Sequence, residues 1–296
     1  MTLVSILILS FNLIFQFNGS SLDSISRRIA KPNLAQNILI EDDYSVMSRQ
    51  AVVLFISELK LVLESKEHAV VMLPTGGTYF NEGGFYDILR TQYKDSIDWN
   101  RVIFFNLDEY VDIAPEDEHS YNYQLKANML NPLEVRAENI FLFDGVCEDL
   151  NAEIISREAL IEEFGGIDIC LLGLGVNGHI GFNEPGSTMD SKTRVVDLSE
   201  ETRVQNAGYF ESGIMPDSAI TVGIATILSS KVIMLLGSGE AKAEAARDTL
   251  NDIDPMLNPA SFLNRANSSR VFYVFDNDAI LDFEKTEMDF MEIEIK

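Results

Sequence analysis

The sequence predicts a single α/β domain, a parallel sheet with helices on both of its faces. Three observations point there. Short apolar runs rich in branched residues, such as Ile167 to Leu172, suit strands buried on both faces. Longer amphipathic stretches separate these runs, which is the alternation that strand–helix–strand units produce. Several runs end in glycine-rich loops, and open α/β sheets bind ligands at the carboxyl ends of their strands. At 296 residues with 46% hydrophobic content, the chain can bury one large core.

Taken in order, Asn37 to Ile40 reads as the first strand and Asp43 to Leu63 as a helix with Val46, Ala51, Val52, Phe55, Ile56 and Leu59 along one side. The strand Ala69 to Leu73 breaks at Pro74-Thr75-Gly76-Gly77-Thr78. A small loop of glycines and hydroxyls directly after a strand exposes backbone N–H groups and can cradle a phosphate, although the same residues also make a plain turn. A helix from Phe85 to Tyr93 and a strand from Arg101 to Leu107 follow, with Asp108-Glu109-Tyr110 at the strand end. Adjacent acids diverge there, so one can face a ligand while the other faces scaffold or solvent, although the same residues also make a solvated acidic turn. Ser120-Tyr121 opens the next helix, flanked by a solvent-exposed His119. Asn139 to Phe143 is a strand, Asp149 to Phe164 a helix, Ala219 to Ser229 a helix and Val232 to Leu236 a strand leading to Lys242 at a helix start. Arg270 to Phe275 is the last strand.

The most informative stretch follows the run at 167 to 172. Gly173, Gly175 and Gly178 have the spacing of a dinucleotide fingerprint, but no long amphipathic helix comes after them. Instead the loop carries Asn177, His179, Asn183 and Glu184 on irregular backbone. His179 sits among glycines rather than on an apolar face, and Glu184 is five residues on, so the two can converge as an acid/base pair.

Composition excludes several partners. A formal charge of −25 repels nucleic acid over most of the surface, while a pocket of amides and one or two cations still accommodates a small anion. Cys147 and Cys170 are too few for a disulfide framework and have no metal-ligand spacing with the three histidines, so no metal site is expected. Cys170, inside an apolar run, reads as a small buried hydrophobe. Residues 1–33 form an apolar extension and a polar linker containing Arg27-Arg28, and residues 285–296 an acidic tail. The extension lacks the positive start and cleavage site of a signal peptide and the length of a membrane span, so no membrane partner is expected, with a signal-like role left open.

Gly178-His179-Ile180-Gly181-Phe182-Asn183-Glu184-Pro185 resembles the signature of the glucosamine-6-phosphate deaminase/isomerase family. The neighbouring 6-phosphogluconolactonases share the Gly-His but typically lack Phe-Asn-Glu-Pro. The likeness runs from about Asn37 to Ile280. It implies a Rossmann-like domain at 34–284, a cytoplasmic enzyme of amino-sugar catabolism, and conversion of glucosamine 6-phosphate and water to fructose 6-phosphate and ammonia without metal or organic cofactor. It further implies that Asp108 carries hydrogen from C2 to C1, that His179 opens the sugar ring, and that Glu184 and Asn177 orient it. Thr75, Gly76, Gly77, Thr78 and Lys242 would hold the phosphate. The partner implied is a small-molecule amino-sugar phosphate, with a homo-oligomer left open.

The chain departs from the family at four places. Tyr79 replaces a proline, Asn81 to Gly84 is a short insertion, and Asn264-Arg265 replaces a Gln-x-His region. Gly208 stands where members carry a phosphate-binding arginine ahead of two aromatics, which makes Arg203 on the same segment a candidate for the lid and the phosphate. The alternatives are a galactosamine-6-phosphate deaminase, a 6-phosphogluconolactonase-like hydrolase, and a non-enzymatic phosphosugar sensor. The sensor would want a DNA-binding module, and the first 33 residues hold no convincing one.

Overall fold

The computed structural model describes residues 27–29, 36–206, 210, 215–266 and 269–281. The apolar segment 1–17, the acidic tail and Gly208 lie outside the described residues. In chain order the elements are β1 (Arg27–Ile29), β2 (Gln36–Glu41), α1 (Tyr44–Ser65), β3 (Ala69–Leu73), α2 (Gly77–Phe80), α3 (Phe85–Gln92), β4 (Val102–Asn106), β5 (Asp108–Tyr110), α4 (Tyr121–Leu125), β6 (Ile140–Phe141) and α5 (Leu150–Glu163). They continue with β7 (Ile169–Gly173), β8 (Arg194–Asp197), α6 (Glu200–Asn206), β9 (Ser218–Thr221), α7 (Ile224–Leu228), β10 (Val232–Gly237), α8 (Ala243–Leu250) and β11 (Arg270–Asp276).

Eight strands form one sheet in the order β1-β2-β11-β10-β7-β3-β4-β6, parallel throughout except for β1. Alternation along the central strands explains why their runs are continuously apolar. Cys170 and Leu172 of β7 enter one core and Ile169 and Leu171 the other, and Val70 and Met72 of β3 alternate with Val71 and Leu73 in the same way. Helices α1 and α3 cover one face, and α5, α7 and α8 the other. Asp43 caps α1 by accepting from the Val46 amide at 2.9 Å, and the helix buries Met47, Ala51, Val52, Phe55, Ile56 and Leu59. Apart from Ala51, each of these side chains contributes about 1.5–3 kcal/mol when fully buried.

Two expectations are corrected. Arg27 and Arg28, expected in a linker, join Ile29 in an antiparallel edge strand paired with Ile38 to Ile40. Ala219 to Ser229, expected as one helix, is split: Ser218–Thr221 is a strand, and only Ile224–Leu228 is helical. Ile220 and Thr221 are β-branched and lie between two partners, β5 and β8, in a small antiparallel sheet. At Gly223, between the strand and α7, the backbone passes so close to Ser191 and Lys192 that a Cβ would overlap them.

The strand order places the site. From β3 the chain works outward through β4 to β6, and from β7 it works outward the other way through β10 to β11. The loops leaving the adjacent strands β3 and β7 therefore diverge, opening a crevice at the carboxyl edge of the sheet.

Candidate active site

A cavity of about 600 Å³ fills that crevice, walled by Thr75 to Thr78 after β3, Asp108 after β4, Gly175 and His179 after β7, and Lys242 after β10. In the first of these loops Gly76 has φ 98°, a conformation that favours glycine. Its carbonyl accepts from the Tyr79 and Phe80 amides, so the Gly77 and Thr78 amides are first-turn donors of α2 with no helical acceptor. Tyr79 is fully buried against Phe85 and Tyr86 and donates its hydroxyl to the Leu172 carbonyl at 3.0 Å. It pins the loop to β7. Phe80 and Asn81 also line the cavity.

Asp108 and Glu109 diverge as their adjacency requires. Asp108 faces the cavity at 6% exposure, and its Oδ1 is buried with no hydrogen-bond partner. Burial, and then the Glu109 charge, raise its carboxyl to about 8. Glu109 points into the scaffold and accepts from the Tyr110 amide at 2.9 Å, the Ser120 hydroxyl at 2.9 Å, the Tyr121 amide at 3.0 Å and the Asn122 amide at 2.6 Å. Burial outweighs those donors and pushes Glu109 up to about 7.

The loop after β7 folds back on itself through bonds from Gly175 N to His179 O (2.9 Å) and from Gly178 N to Gly175 O (3.1 Å). The His179 ring lies against Gly175 so closely that any Cβ there would overlap it. His179 Nδ1 is 2.7 Å from Asn177 Oδ1 and 3.6 Å from Glu184 Oε2, while Asn177 Nδ2 donates to that Glu184 oxygen at 2.7 Å. The link from ring to carboxylate thus runs through the amide. Glu184 also accepts from the Thr202 hydroxyl. Burial raises Glu184, but His179, Thr202 and Asn177 together outweigh it and hold the carboxyl at about 2. It is a fixed negative charge across the neutral range.

Lys242 follows a turn organised by Asp276, which accepts from Gly239 N, Ala279 N and the Ser238 hydroxyl. Burial lowers the lysine's pKa, and among the described residues no carboxylate pairs with it. A half-buried ammonium without a counter-ion suits an anion.

The structure therefore brings Thr75, Gly76, Gly77, Thr78, Asp108, His179 and Lys242 to one cavity, with Asn177 and Glu184 behind His179. Arg203 does not join them: its guanidinium is 2.9 Å from Asp217. His119, expected as an exposed flank, is corrected to a half-buried wall residue whose ring stacks on Phe210 at 5.0 Å and whose Nδ1 is 2.7 Å from Asp117. Tyr121, Phe182 and Phe210 also line the cavity. Their signal in the sequence was the aromatic content of segments read only as a helix start, a motif interior and a candidate lid.

Comparisons with known proteins show the family and the fold. The family described as glucosamine-6-phosphate isomerases/6-phosphogluconolactonase matches residues 42–273. A glucosamine-6-phosphate deaminase of Bacillus velezensis is 40% identical over 229 residues, 77% of this chain and 92% of that protein. One of Halothermothrix orenii is 39% identical over 244 residues, 82% of this chain and 98% of that protein. Among solved structures, a monomeric glucosamine-6-phosphate deaminase has 37% identity and a TM-score of 0.75, covering 82% of this chain and 98% of its own. A 6-phosphogluconolactonase of Thermotoga maritima, at 19% identity and a TM-score of 0.65 over 81% of this chain and 99% of its own, shares the fold. No helix among the described residues is long and apolar enough to cross a membrane.

Proposed function

The chain belongs to the family of glucosamine-6-phosphate isomerases and 6-phosphogluconolactonases, and from that membership we propose that it converts glucosamine 6-phosphate and water to fructose 6-phosphate and ammonia. The observation that carries this reading is the Asp108 carboxyl, buried in the cavity wall with an unpartnered oxygen and raised to about 8. A group that takes hydrogen from carbon and returns it works best when its pKa lies near the operating pH. His179 moves a proton between the anomeric hydroxyl and the ring oxygen, opening the sugar. Asp108 then takes the proton from C2 of the aldehyde while O1 gains a proton, giving an enolamine, and returns its proton to C1 of that enolamine. The resulting C2 iminium adds water and releases ammonia. Asn177 and Glu184 hold the imidazole in register, as the third member of a triad does.

The phosphate sits on the Gly77 and Thr78 amides and Lys242. Lys242→Met should raise KM for the 6-phosphate about ten- to hundredfold, the worth of one charge-assisted contact, and leave KM for an unphosphorylated amino sugar nearly unchanged. Because Arg203 is engaged by Asp217, Arg203→Ala should leave KM in place, whereas Gly208→Arg should lower it by restoring the family's cation. Galactosamine 6-phosphate is the nearest competing substrate. The deciding experiment measures ammonia and fructose 6-phosphate from glucosamine 6-phosphate, its galactosamine counterpart as a control, and hydrolysis of 6-phosphogluconolactone. Lactone hydrolysis without ammonia release would overturn the proposal.

A further inference from the structure

We propose that Thr202 is a positioning residue whose hydroxyl holds the Glu184 carboxylate off the His179 imidazole and so sets the basicity of that ring. The inference rests on the reading of His179 as the acid/base group. Glu184 is drawn two ways. Its Oε1 accepts from Thr202 Oγ1, and Ser199 Oγ lies 3.5 Å from the same atom. Both hydroxyls belong to the start of α6, where Ser199 Oγ also accepts from Thr202 N at 3.2 Å. The helix is itself tethered by the pair Arg203–Asp217. On the other side, Oε2 accepts from Asn177 Nδ2 and stops 3.6 Å short of His179 Nδ1, beyond hydrogen-bond reach. The ring nitrogen uses the neutral Asn177 oxygen instead.

Thr202 is 2% exposed, so its hydroxyl meets the carboxylate on the protein side rather than in solvent. Replacing it with the isosteric valine leaves Oε1 with only the longer contact from the Ser199 hydroxyl at 3.5 Å, which lets the carboxylate rotate toward Nδ1. A carboxylate in direct contact favours the imidazolium more than one held at a distance behind an amide. Among the described residues no other charged side chain contacts Glu184, and the remaining charged groups in the cavity wall facing His179 are Asp108, Glu118, His119 and Lys242. All of them stay unchanged in the variant. Since α6 belongs to the segment that leads to Phe210 in the cavity wall, ring basicity is tied to an element outside the histidine's own loop.

The test is an NMR titration of the imidazole protons of the free enzyme. The chain has three histidines, so His68→Gln and His119→Gln suffice to assign His179. Thr202→Val should raise the His179 midpoint by about half a pH unit or more, and move the corresponding limb of the kcat/KM profile in the same direction. Thr202→Ser, which keeps the hydroxyl, should leave both in place. Thr202→Ala carries the same expectation as valine and cannot overpack the site. A folded valine or alanine variant whose midpoint stays put overturns the proposal. A raised midpoint that the kcat/KM profile ignores supports the coupling while removing His179 from the chemistry assigned to it above.

Discussion

Asp108 combines burial, a neighbouring carboxylate and an oxygen without a partner, and each of these has a measurable consequence. Its folded pKa of about 8 is above the ordinary aspartate value, so between about pH 4 and that point the folded chain binds more protons at this site than the unfolded chain does. The site's contribution to stability is fully present below about pH 4, falls as pH rises through the window, and levels off above it. Asp108→Asn should therefore raise Tm more at pH 8 than at pH 5 while lowering kcat about 10²–10⁴-fold. A flat Tm difference would show that the carboxyl is not held neutral, and a retained kcat would remove it from the mechanism. Gly175 is critical for a different reason. Its φ suits any residue, but a methyl group there overlaps the His179 ring, so Gly175→Ala should fold, shift the imidazole and cost about 10²-fold in kcat. Full activity in Gly175→Ala would mean the ring is placed elsewhere in the working enzyme.

The long parallel strands were legible because they are buried on both faces, and burial leaves an unbroken run of Val, Ile, Leu, Met and Phe that no surface element can carry. The three-stranded sheet was not. Its strands are three or four residues long, β5 begins with two acids, and its register joins Asp108 to Thr221 and Arg194 to Thr221 across long stretches of chain. The two β-branched residues in Ser218–Thr221 are too short a signal to separate a strand from the first turn of a helix. The same distinction divides the site. Glycines, acids and His179 announced themselves within single loops, whereas His119, Tyr121 and Phe210 become wall residues only when their separate elements fold together. The turn that presents Lys242 is another element-scale device, held by the Asp276 carboxylate at the end of β11. Asp276→Ala should leave the Gly239 and Ala279 amides without their acceptor, cost about 1–3 kcal/mol in denaturant titration, and raise KM for the 6-phosphate without lowering kcat in proportion. If KM is unchanged, the turn holds its shape without the clamp.

The two ends of the sheet divide labour across the molecule. At the end opposite the cavity, the fully buried Asp168 accepts from the Val70 amide at 2.9 Å and pairs with Lys66 at 2.6 Å and Lys231 at 2.7 Å. Both lysines keep solvent access, 28% and 56%, so solvent screening reduces the worth of each pair. Asp168→Asn should cost about 1–3 kcal/mol in urea titration and leave kcat and KM where they are. A change in kinetics would mean that the two ends are mechanically coupled. Cys170 lies between them, on β7, fully buried, its thiol pushed up to about 12 by burial. Its side chain points into the core beneath α5, α7 and α8, so a thiol reagent reaches this sulfur only when that helical layer lifts from the sheet, whereas the half-buried Cys147 reports surface reactivity. The chain thus carries its own clock for global opening: alkylation of Cys170 should slow by the factor 1 + [L]/Kd when a phosphosugar occupies the cavity, while Cys147 keeps its pace.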